Sequence, residues 1–270
     1  MIDIFAAQGG DPDALAELYD LEHDERREDH VFYREFARRA RGAILDLGCG
    51  SGRLFRALAE CSRRRVVGVD GSPALLRRAQ RRIDSDIVLR EGRAARRLET
   101  ALGDVTSIRR AERFSLIVAV DVVPHLGEAA TERMLRSAAA HLTEAGKLIV
   151  DLAGPGALPQ RDLRRGLDWD RDLNGGSVRR WSALRRLASD RGLTVMLSTT
   201  TERRMADGTI ARLPAAFRLW YPDRALLERL VARAGLIVSM TYGSHELDDP
   251  GPRSERLIAV TERPGRHRIR

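Results

Sequence analysis

Hydrophobic residues in the first half of the chain follow two alternating spacings. Short, mainly apolar runs are separated by segments in which apolar residues recur every three or four positions, as Met134, Leu135 and Ala138 do. The runs occupy residues 43–47, 65–70, 114–121 and 145–152. Such runs are typical of strands buried on both faces, and the wider spacing predicts amphipathic helices. Strand and helix therefore alternate from about Arg41 to Leu152, which predicts an α/β fold with a doubly wound, mostly parallel sheet.

The rest of the chain predicts a lid, an insertion and a closing unit. Residues near the N-terminus place Tyr33, Phe36 and Ala37 on one helical face. Strand-forming residues at 180–184, 193–201 and 210–220 predict a small antiparallel β insertion, which either covers the ligand side of the sheet or makes a subunit contact in a homodimer. The predicted units are residues 1–40 (helical lid), 41–152 (core), 153–220 (β insertion), 221–263 (completion of the core sheet) and 264–270 (basic tail). Within 221–263 we expect a helix over 222–234, followed by an antiparallel strand pair at 236–242 and 255–261.

Charge and cysteine content narrow the function classes. The formal net charge is +8, yet the arginines are scattered beside Asp and Glu, and Lys147 is the only lysine. A nucleic-acid surface would require clustered positive charge, so a nucleic-acid partner is not expected. Cys49 and Cys61 cannot form a disulfide framework, and no metal-ligand spacing occurs. Without a signal peptide or a long apolar span, we expect a cytoplasmic protein with no membrane partner.

A glycine loop follows the first predicted strand. The segment 43–54 reads Ala-Ile-Leu-Asp-Leu-Gly-Cys-Gly-Ser-Gly-Arg-Leu, an apolar strand that breaks into Gly48, Gly50 and Gly52 before a helix. Glycines allow the backbone to turn sharply and to approach a ligand where a Cβ would collide. The dinucleotide-binding fingerprint requires a small third residue for helix–strand packing, but Arg53 or Phe55 stands at that position. The loop therefore does not fit a dinucleotide, and by itself it is equally compatible with a ligand-binding loop of another kind and with a structural turn.

Acidic residues follow several of the predicted strands. They are Asp46, Asp70, Asp104 and Asp121. Ligands of doubly wound sheets bind outside the carboxyl ends of the strands, and an acid after the second strand can accept hydroxyl protons of a ribose. Ser72 and Pro73 then predict a helix start, as N-cap and first helical residue. The pair Gly103-Asp104 is also compatible with an ordinary turn.

These motifs resemble those of class I S-adenosylmethionine (SAM)-dependent methyltransferases, from about Tyr19 to Arg263. The resemblance implies a Rossmann-like seven-stranded sheet, SAM as cofactor and S-adenosylhomocysteine as its product. It implies that the glycine loop and the acid before it, the acid after the second strand, the Gly-Asp element and the acid after the fourth strand bind SAM. The residues at those positions are Asp46, Gly48, Cys49, Gly50, Gly52, Asp70, Gly71, Asp104, Val105 and Asp121.

The segments 16–21 and 29–35 are similar to the N-terminal lid of amino-sugar N,N-dimethyltransferases. That resemblance implies that Tyr19 and Tyr33 approach the methionine end of SAM. Both tyrosines are equally compatible with half-buried amphipathic anchors. Either way, the aromatic residues predict that the lid packs on the core.

Histidines are the candidate catalytic residues. His125, in a segment after strand four that resembles the same family, could accept a proton from the acceptor or donate a hydrogen bond to it. A histidine that caps the next helix is the structural alternative. His245 is a second candidate, for which a solvated loop is the alternative.

The motifs that are absent favour a small-molecule acceptor. The segment 121–126 lacks the Asn-Pro-Pro-Tyr signature of enzymes that methylate exocyclic amines, and no Pro-Cys nucleophile is present. The resemblance implies N-methylation, with O- and C-methylation open. Two other hypotheses are an RNA or protein methyltransferase and a SAM-binding protein without transfer activity.

Overall fold

The computed structural model describes residues 11–60, 64–86, 89, 97–173 and 176–265. The helices are α1 (Pro12–His23), α2 (His30–Arg39), α3 (Phe55–Glu60), α4 (Pro73–Ser85), α5 (Glu128–His141) and α6 (Arg224–Arg233), with a 3₁₀ turn at Val123–His125. The strands are β1 (Ile44–Leu47), β2 (Val66–Asp70), β3 (Leu98–Leu102), β4 (Phe114–Val120), β5 (Leu142–Ala153), β6 (Leu163–Leu173), β7 (Gly176–Leu187), β8 (Leu193–Arg204), β9 (Ile210–Tyr221), β10 (Ile237–Tyr242) and β11 (Arg256–Glu262). Cys61 and residues 266–270 of the predicted basic tail lie outside the described residues.

The central sheet has seven strands in the order β3-β2-β1-β4-β5-β11-β10. The pairs from β3 to β5 are all parallel, and β11 runs antiparallel to both β5 and β10. The predicted seven-stranded, mostly parallel sheet is confirmed. The strand order reverses direction at β1, which pairs with β2 on one side and with β4 on the other. A crevice at the carboxyl ends of these strands is the usual ligand site of such sheets.

The core explains why the apolar runs form strands. Leu45 and Leu47 of β1 are fully buried on one face of the sheet, and Ile44 is buried in the cluster on the other face. The predicted helical face with Met134 and Leu135 is buried against the sheet. Helices therefore cover both faces, and the apolar side chains of the short strands are buried on each side.

The insertion is a separate four-stranded antiparallel sheet in the order β6-β7-β8-β9. Three of its strands coincide with the predicted strand-forming stretches, but β6 was not predicted. β6 is an edge strand whose sequence is crowded with charges, and its Leu163 and Leu167 are about half exposed, at 50% and 56%. Charges on an edge strand prevent pairing with other molecules and also hide the alternation by which a strand is recognised.

The boundaries of two core elements differ from the prediction. The helix after the insertion begins at Arg224 rather than at residue 222, because Asp223 caps it by accepting a hydrogen bond from the Leu226 N–H at 2.7 Å. The fifth strand begins at Leu142 rather than at Ala145, directly after α5. Among the described helices, none combines the length and apolar character needed to cross a membrane.

The lid helix α1 lies between α4 and the insertion. Leu15 and Ala16 pack with Leu75 of α4, and Leu213 and Phe217 of β9 pack against this cluster. Carboxylates along α1 and the turn after it pair with arginines of both neighbours. The pairs are Asp13–Arg77 (2.7 Å), Asp20–Arg78, Asp24–Arg82 (2.5 Å), Glu17–Arg203 (2.9 Å), Glu22–Arg180 and Glu25–Arg171 (3.2 Å). Exposed pairs such as Asp13–Arg77 contribute about 0–1 kcal/mol each, so they orient the lid more than they stabilise the fold. Asp20, in contrast, is buried.

Candidate active site

The glycine loop after β1 is held in a conformation that side chains cannot adopt easily. Gly48, Gly50 and Gly52 have φ values of +78°, +55° and +79°. A Cβ on Gly48 would lie 2.4 Å from Val122 Cγ2, and one on Gly52 would lie 2.5 Å from the Phe55 ring. Both the backbone angles and the close packing therefore require glycine.

Asp70 ties this loop to the end of β2. Its Oδ2 accepts a hydrogen bond from the Gly50 N–H and its Oδ1 accepts one from the Ser72 N–H, both at 2.8 Å. Each carboxylate oxygen has a further lone pair that can accept a hydroxyl proton. Asp70 is therefore positioned to organise the loop and to bind a diol at the same time.

Asp104 stands after the neighbouring strand β3. The Gly103 N–H donates to the backbone oxygen of Asp70 at 2.9 Å, which brings the two acids to the same edge of the sheet. Asp104 Oδ1 accepts hydrogen bonds from the Thr106 N–H (2.8 Å) and hydroxyl (2.7 Å). Val105, between them, is buried. The predicted nucleoside side of the site is thus assembled from β1, β2 and β3.

Asp46 is a buried acid without a complete set of partners. It is only 3% exposed, and its Oδ2 accepts no hydrogen bond from any described residue. Burial raises the pKa of Asp46 to about 7, against the smaller opposing influence of the Arg53 charge. An orphaned carboxylate oxygen immediately before the glycine loop fits a cationic group such as the sulfonium or ammonium of SAM. The residues of the loop and its surroundings therefore fit that cofactor.

Replacing Asp46 with Asn is expected to stabilise the ligand-free protein, and more so as the pH rises. Because the folded pKa of about 7 exceeds the unfolded value near 4, the wild-type protein loses stability between these values, by roughly 2–4 kcal/mol in total. The gain in melting temperature over wild type should therefore grow from pH 4 to 7 and then level off. An Asp172→Asn control, on the exposed side of β6, should show no such trend. A pH-independent gain would contradict the raised pKa.

Cys49 lies within the loop but has no reactive character. Its thiol is buried, and burial raises its pKa well above the ordinary value. Thiolate is the nucleophilic form of cysteine, so this side chain is a packing residue of the loop. A Cβ on Gly68 would lie 2.9 Å from its Sγ, which shows how closely β2 approaches.

The two lid tyrosines occupy different places. A Cβ on Gly50 would lie 3.4 Å from the Tyr19 hydroxyl, so Tyr19 lies over the glycine loop. The Tyr19 ring also packs against His23, with centroids 4.2 Å apart. Tyr33 is completely buried, and its hydroxyl donates to Asp151 of β5. Of the two lid tyrosines, Tyr19 therefore lies over the glycine loop, whereas Tyr33 lies at the neighbouring end of β5.

Asp151 is the centre of a buried polar network that the sequence reasoning did not single out. Its Oδ2 accepts from Tyr33 and lies 2.7 Å from His245 Nε2, and its Oδ1 accepts from Arg256 Nε at 2.8 Å. Burial by itself would raise the pKa of Asp151, but the His245 hydrogen bond and the Arg256 charge lower it below its ordinary value. The available signal was an acid inside the apolar run Leu-Ile-Val-Asp-Leu.

Asp121 joins this network to the end of β4. Its backbone has φ +54°, unusual for a residue with a side chain, and its N–H donates to the Asp151 backbone oxygen at 2.8 Å. Its Oδ1 accepts from Arg256 Nη2 at 2.9 Å. A cavity of about 710 Å³ opens here, lined by Arg53, Asp121, His245 and Arg256 among others. Strained residues of this kind cluster at functional sites.

Arg53 fixes the lid next to the glycine loop. Its guanidinium donates to both carboxylate oxygens of Asp29, at 2.8 and 2.6 Å, and to the Arg26 backbone oxygen at 3.0 Å. The side chains of Arg53 and Asp29 are 16% and 6% exposed. A bidentate and largely buried pair is geometrically specific, so it sets the position of the turn before α2.

His125 lies where the core meets the insertion. It ends the 3₁₀ turn after β4, and its ring centroid is 6.3 Å from that of Phe217 on β9. Burial lowers the pKa of His125, although the nearby Asp121 opposes this effect. His125 also lines a cavity of about 680 Å³ with Thr194 and Trp220 of the insertion. His125 is therefore neutral near pH 7, and it lies between the core and the insertion.

Comparison with known proteins identifies one domain and the fold. Residues 44–146 match the family model described as "Methyltransferase domain". The fold resembles that of an S-adenosylmethionine-dependent methyltransferase from Clostridium acetobutylicum ATCC 824, with a TM-score of 0.75 and 17% identity over 93% of this chain and 98% of that one. It also resembles the CcbJ methyltransferase from Streptomyces caelestis (TM-score 0.72, 19% identity, 93% and 96% of the two chains) and the sugar N-methyltransferase KedS8 from Streptoalloteichus sp. ATCC 53650 (0.70, 21%, 98% and 99%). No curated protein matches the sequence.

Residues 44–146 carry a methyltransferase domain, and the whole chain has a fold that SAM-dependent methyltransferases also have. The predicted α/β fold is confirmed by the solved structures, and the predicted methyltransferase class is confirmed by the domain match. The chain carries the methyltransferase domain in its core, and the lid, the insertion and the closing strands are arranged around it.

Proposed function

We propose that this protein transfers the methyl group of SAM to an amine nitrogen of a small-molecule acceptor. The observation that carries the proposal is a set of cavities of about 580 to 710 Å³ beside the strand ends, one lined in part by the lid and two lined in part by the insertion. Such volumes suit molecules of metabolite or drug size. Several proteins of this fold carry matching descriptions: KedS8 is called a sugar N-methyltransferase, and CalS10 an amino pentose methyltransferase.

The residues of the chain have distinct roles in this proposal. SAM supplies a methyl group that is activated by its positive sulfur. Asp70 accepts the ribose hydroxyls, and Asp104 with Val105 contacts the adenine. Asp46 faces the positive end of the cofactor, and Tyr19 covers it and excludes water. The protein then contributes mainly by holding the acceptor nitrogen in line with the methyl group.

Acceptor binding is assigned to the turn after β4. His125 contacts the acceptor there, either by accepting a proton or through a hydrogen bond. Phe217 of the insertion packs beside it and limits the size of the group that enters. The insertion replaces a simple crossover connection, and its residues lie beside His125. It therefore selects the acceptor.

The alternatives receive less support. An RNA or protein methyltransferase would need a continuous basic face, but arginines of the lid neighbours are paired with carboxylates, as Arg77, Arg82 and Arg203 are. A protein that binds SAM without transferring its methyl group would not need the cavity that His125 lines. The cytoplasmic location and the homodimer through the insertion remain predictions from the sequence.

The proposal is tested in two stages. Isothermal titration with SAM and with S-adenosylhomocysteine should show binding, and its absence would remove the protein from this class. Methyl transfer from labelled SAM is then measured over panels of amines, phenols and RNA. Transfer to amines alone supports the proposal, and transfer to RNA alone supports the first alternative.

Replacing Asp70 with Ala is expected to weaken SAM binding by about 1–3 kcal/mol, roughly 5- to 150-fold, because charge-assisted hydrogen bonds to the ribose and to the loop are lost. Asp207→Ala is a matched control. Asp207 also accepts a backbone N–H two residues ahead, from Thr209 at 2.8 Å, but it lies in the exposed hairpin turn of the insertion. An unchanged dissociation constant for the Asp70 variant would make it an ordinary turn aspartate.

Replacing His125 with Ala is expected to lower turnover about 10-fold or more while SAM affinity stays within about 2-fold, because a contact to the acceptor is lost. His141→Gln serves as control, since His141 bonds backbone oxygens at the opposite end of β5. Equal losses of turnover and SAM affinity would show that His125 is structural.

A further inference from the structure

The buried network at the end of β5 fixes the state of one histidine. His245 Nε2 lies 2.7 Å from Asp151 Oδ2, and the Asp151 carboxylate is completely buried and held in its ionised form by His245 and Arg256. An ionised carboxylate only accepts hydrogen bonds, so Nε2 carries the proton. In the neutral ring the lone pair then resides on Nδ1, which makes no hydrogen bond with any described residue.

The ring of His245 lies at the edge of a cavity. Phe32 and Tyr33 pack beside the ring, with centroids 5.6 and 5.9 Å away, and the side chain is 13% exposed. His245 lines the cavity of about 710 Å³ that also contains Asp121 and Arg53. This cavity lies at the carboxyl ends of β4 and β5, next to the start of the helix that follows the glycine loop. A group bound there is near the cofactor crevice.

Amine methylation creates a need for a proton acceptor at this place. Simple alkylamines have pKa values near 10 and are cations at neutral pH, with no lone pair for attack. A neutral imidazole whose other nitrogen is held by a buried carboxylate is a common arrangement for proton removal. The carboxylates around the cavity favour an acceptor that arrives as a cation.

We propose that His245 is the catalytic proton acceptor for a cationic amine, with Asp151 as the residue that positions it; this rests on the proposed N-methyltransferase function. The ammonium gives one proton to Nδ1 and becomes a neutral amine. Its lone pair forms the N–C bond to the methyl group as the C–S pair passes to sulfur, and the proton on His245 leaves through the cavity. His125 keeps the hydrogen-bonding role.

Charged and titratable groups face His245 from every neighbouring element. They are Arg26, Glu28 and Asp29 of the lid, Tyr33 of α2, Arg53 before α3, Asp121 after β4, Asp151 of β5, Arg256 of β11, and Glu246, Asp248, Asp249, Arg253 and Glu255 of its own loop. Only Asp151 is within hydrogen-bond distance of the ring among the described residues. The other groups set the electrostatic potential of the cavity. Because Asp151 alone among them is hydrogen-bonded to the ring, it determines which ring nitrogen carries the proton.

The first test reads the tautomer and needs no acceptor. ¹⁵N NMR of histidine side chains in the full protein, assigned by the signals missing in His245→Gln, should show that the neutral form of His245 carries its proton on Nε2. His141, which bonds backbone oxygens at the other end of β5, is an internal reference. A proton on Nδ1 in the neutral ring would overturn the proposal, whatever the enzyme methylates.

The second test uses the pH dependence of transfer to benzylamine, an alkylamine that is a cation at pH 7. We expect His245→Gln to lower kcat about 100-fold at pH 7, with SAM affinity within 2-fold. The loss should diminish toward pH 10, because the free amine then forms without help. A loss that is equal at every pH would make His245 structural and overturn the inference. Failure of the wild-type enzyme to methylate any amine would instead overturn the proposed function.

Discussion

Replacing Asp151 with Ala is expected to lower the free energy of unfolding by about 3–5 kcal/mol, because the buried Tyr33 hydroxyl loses its partner and Arg256 keeps only Asp121 of its two carboxylates. Urea unfolding followed by circular dichroism measures this loss. Asp170→Ala is the control: Asp170 pairs with Arg179 at 2.8 Å, but both side chains are about half exposed, at 40% and 52%. The control should stay within about 0.5 kcal/mol of wild type.

The loss should also depend on pH in a defined direction. The pKa of Asp151 is lower in the folded than in the unfolded protein, so its contribution is complete above the unfolded value near 4. It disappears as the pH falls further through the folded value. The difference between wild type and Asp151→Ala should therefore shrink below about pH 4. A loss under 1 kcal/mol at pH 7 would contradict the network as described.

Replacing Gly48 with Ala is expected to lower SAM affinity by 100-fold or more. The added Cβ would meet Val122 Cγ2 at 2.4 Å in a backbone with φ +78°, so the loop must move away from its cradle conformation. Strain in the left-handed region costs about 1–2 kcal/mol, and overpacking adds about 1–3 kcal/mol. Isothermal titration with SAM measures the affinity, and thermal unfolding measures the accompanying loss of stability.

Gly235→Ala separates the two causes. Gly235 has the same φ of +78°, but a Cβ there meets nothing within 4 Å. This control should lose about 1–2 kcal/mol of stability from backbone strain and keep its SAM affinity. If Gly48→Ala binds SAM as tightly as the control does, the glycine loop is not the cradle of the cofactor.

The parts of the fold that depend on neighbours in sequence were predictable. The apolar run at 44–47 became a buried strand, the glycines after it adopted positive φ, and Ser72 with Pro73 started α4 as expected. These features arise from backbone sterics and from the burial of side chains at a regular spacing, which act within a few residues. Asp70 was found in the same way, since its position after a strand and before a helix is a local pattern.

The geometry around His245 could not be derived from such patterns. Asp151 meets Tyr33, His245 and Arg256, which lie 118, 94 and 105 positions away along the chain. The edge strand β6 was missed for a related reason, since it is recognised by its pairing with β7 rather than by its own composition.

The sequence alone therefore specified the strands and helices of the sheet, because short-range sterics and hydrophobic periodicity encode strands, turns and caps directly. Its resemblance to a known family, rather than these patterns, indicated the enzyme class. The tertiary structure decided which acids are buried, which histidine has an ionised partner and where the lid tyrosines lie. Burial and hydrogen bonding between distant segments depend on how strands and helices pack, and no local pattern records that packing.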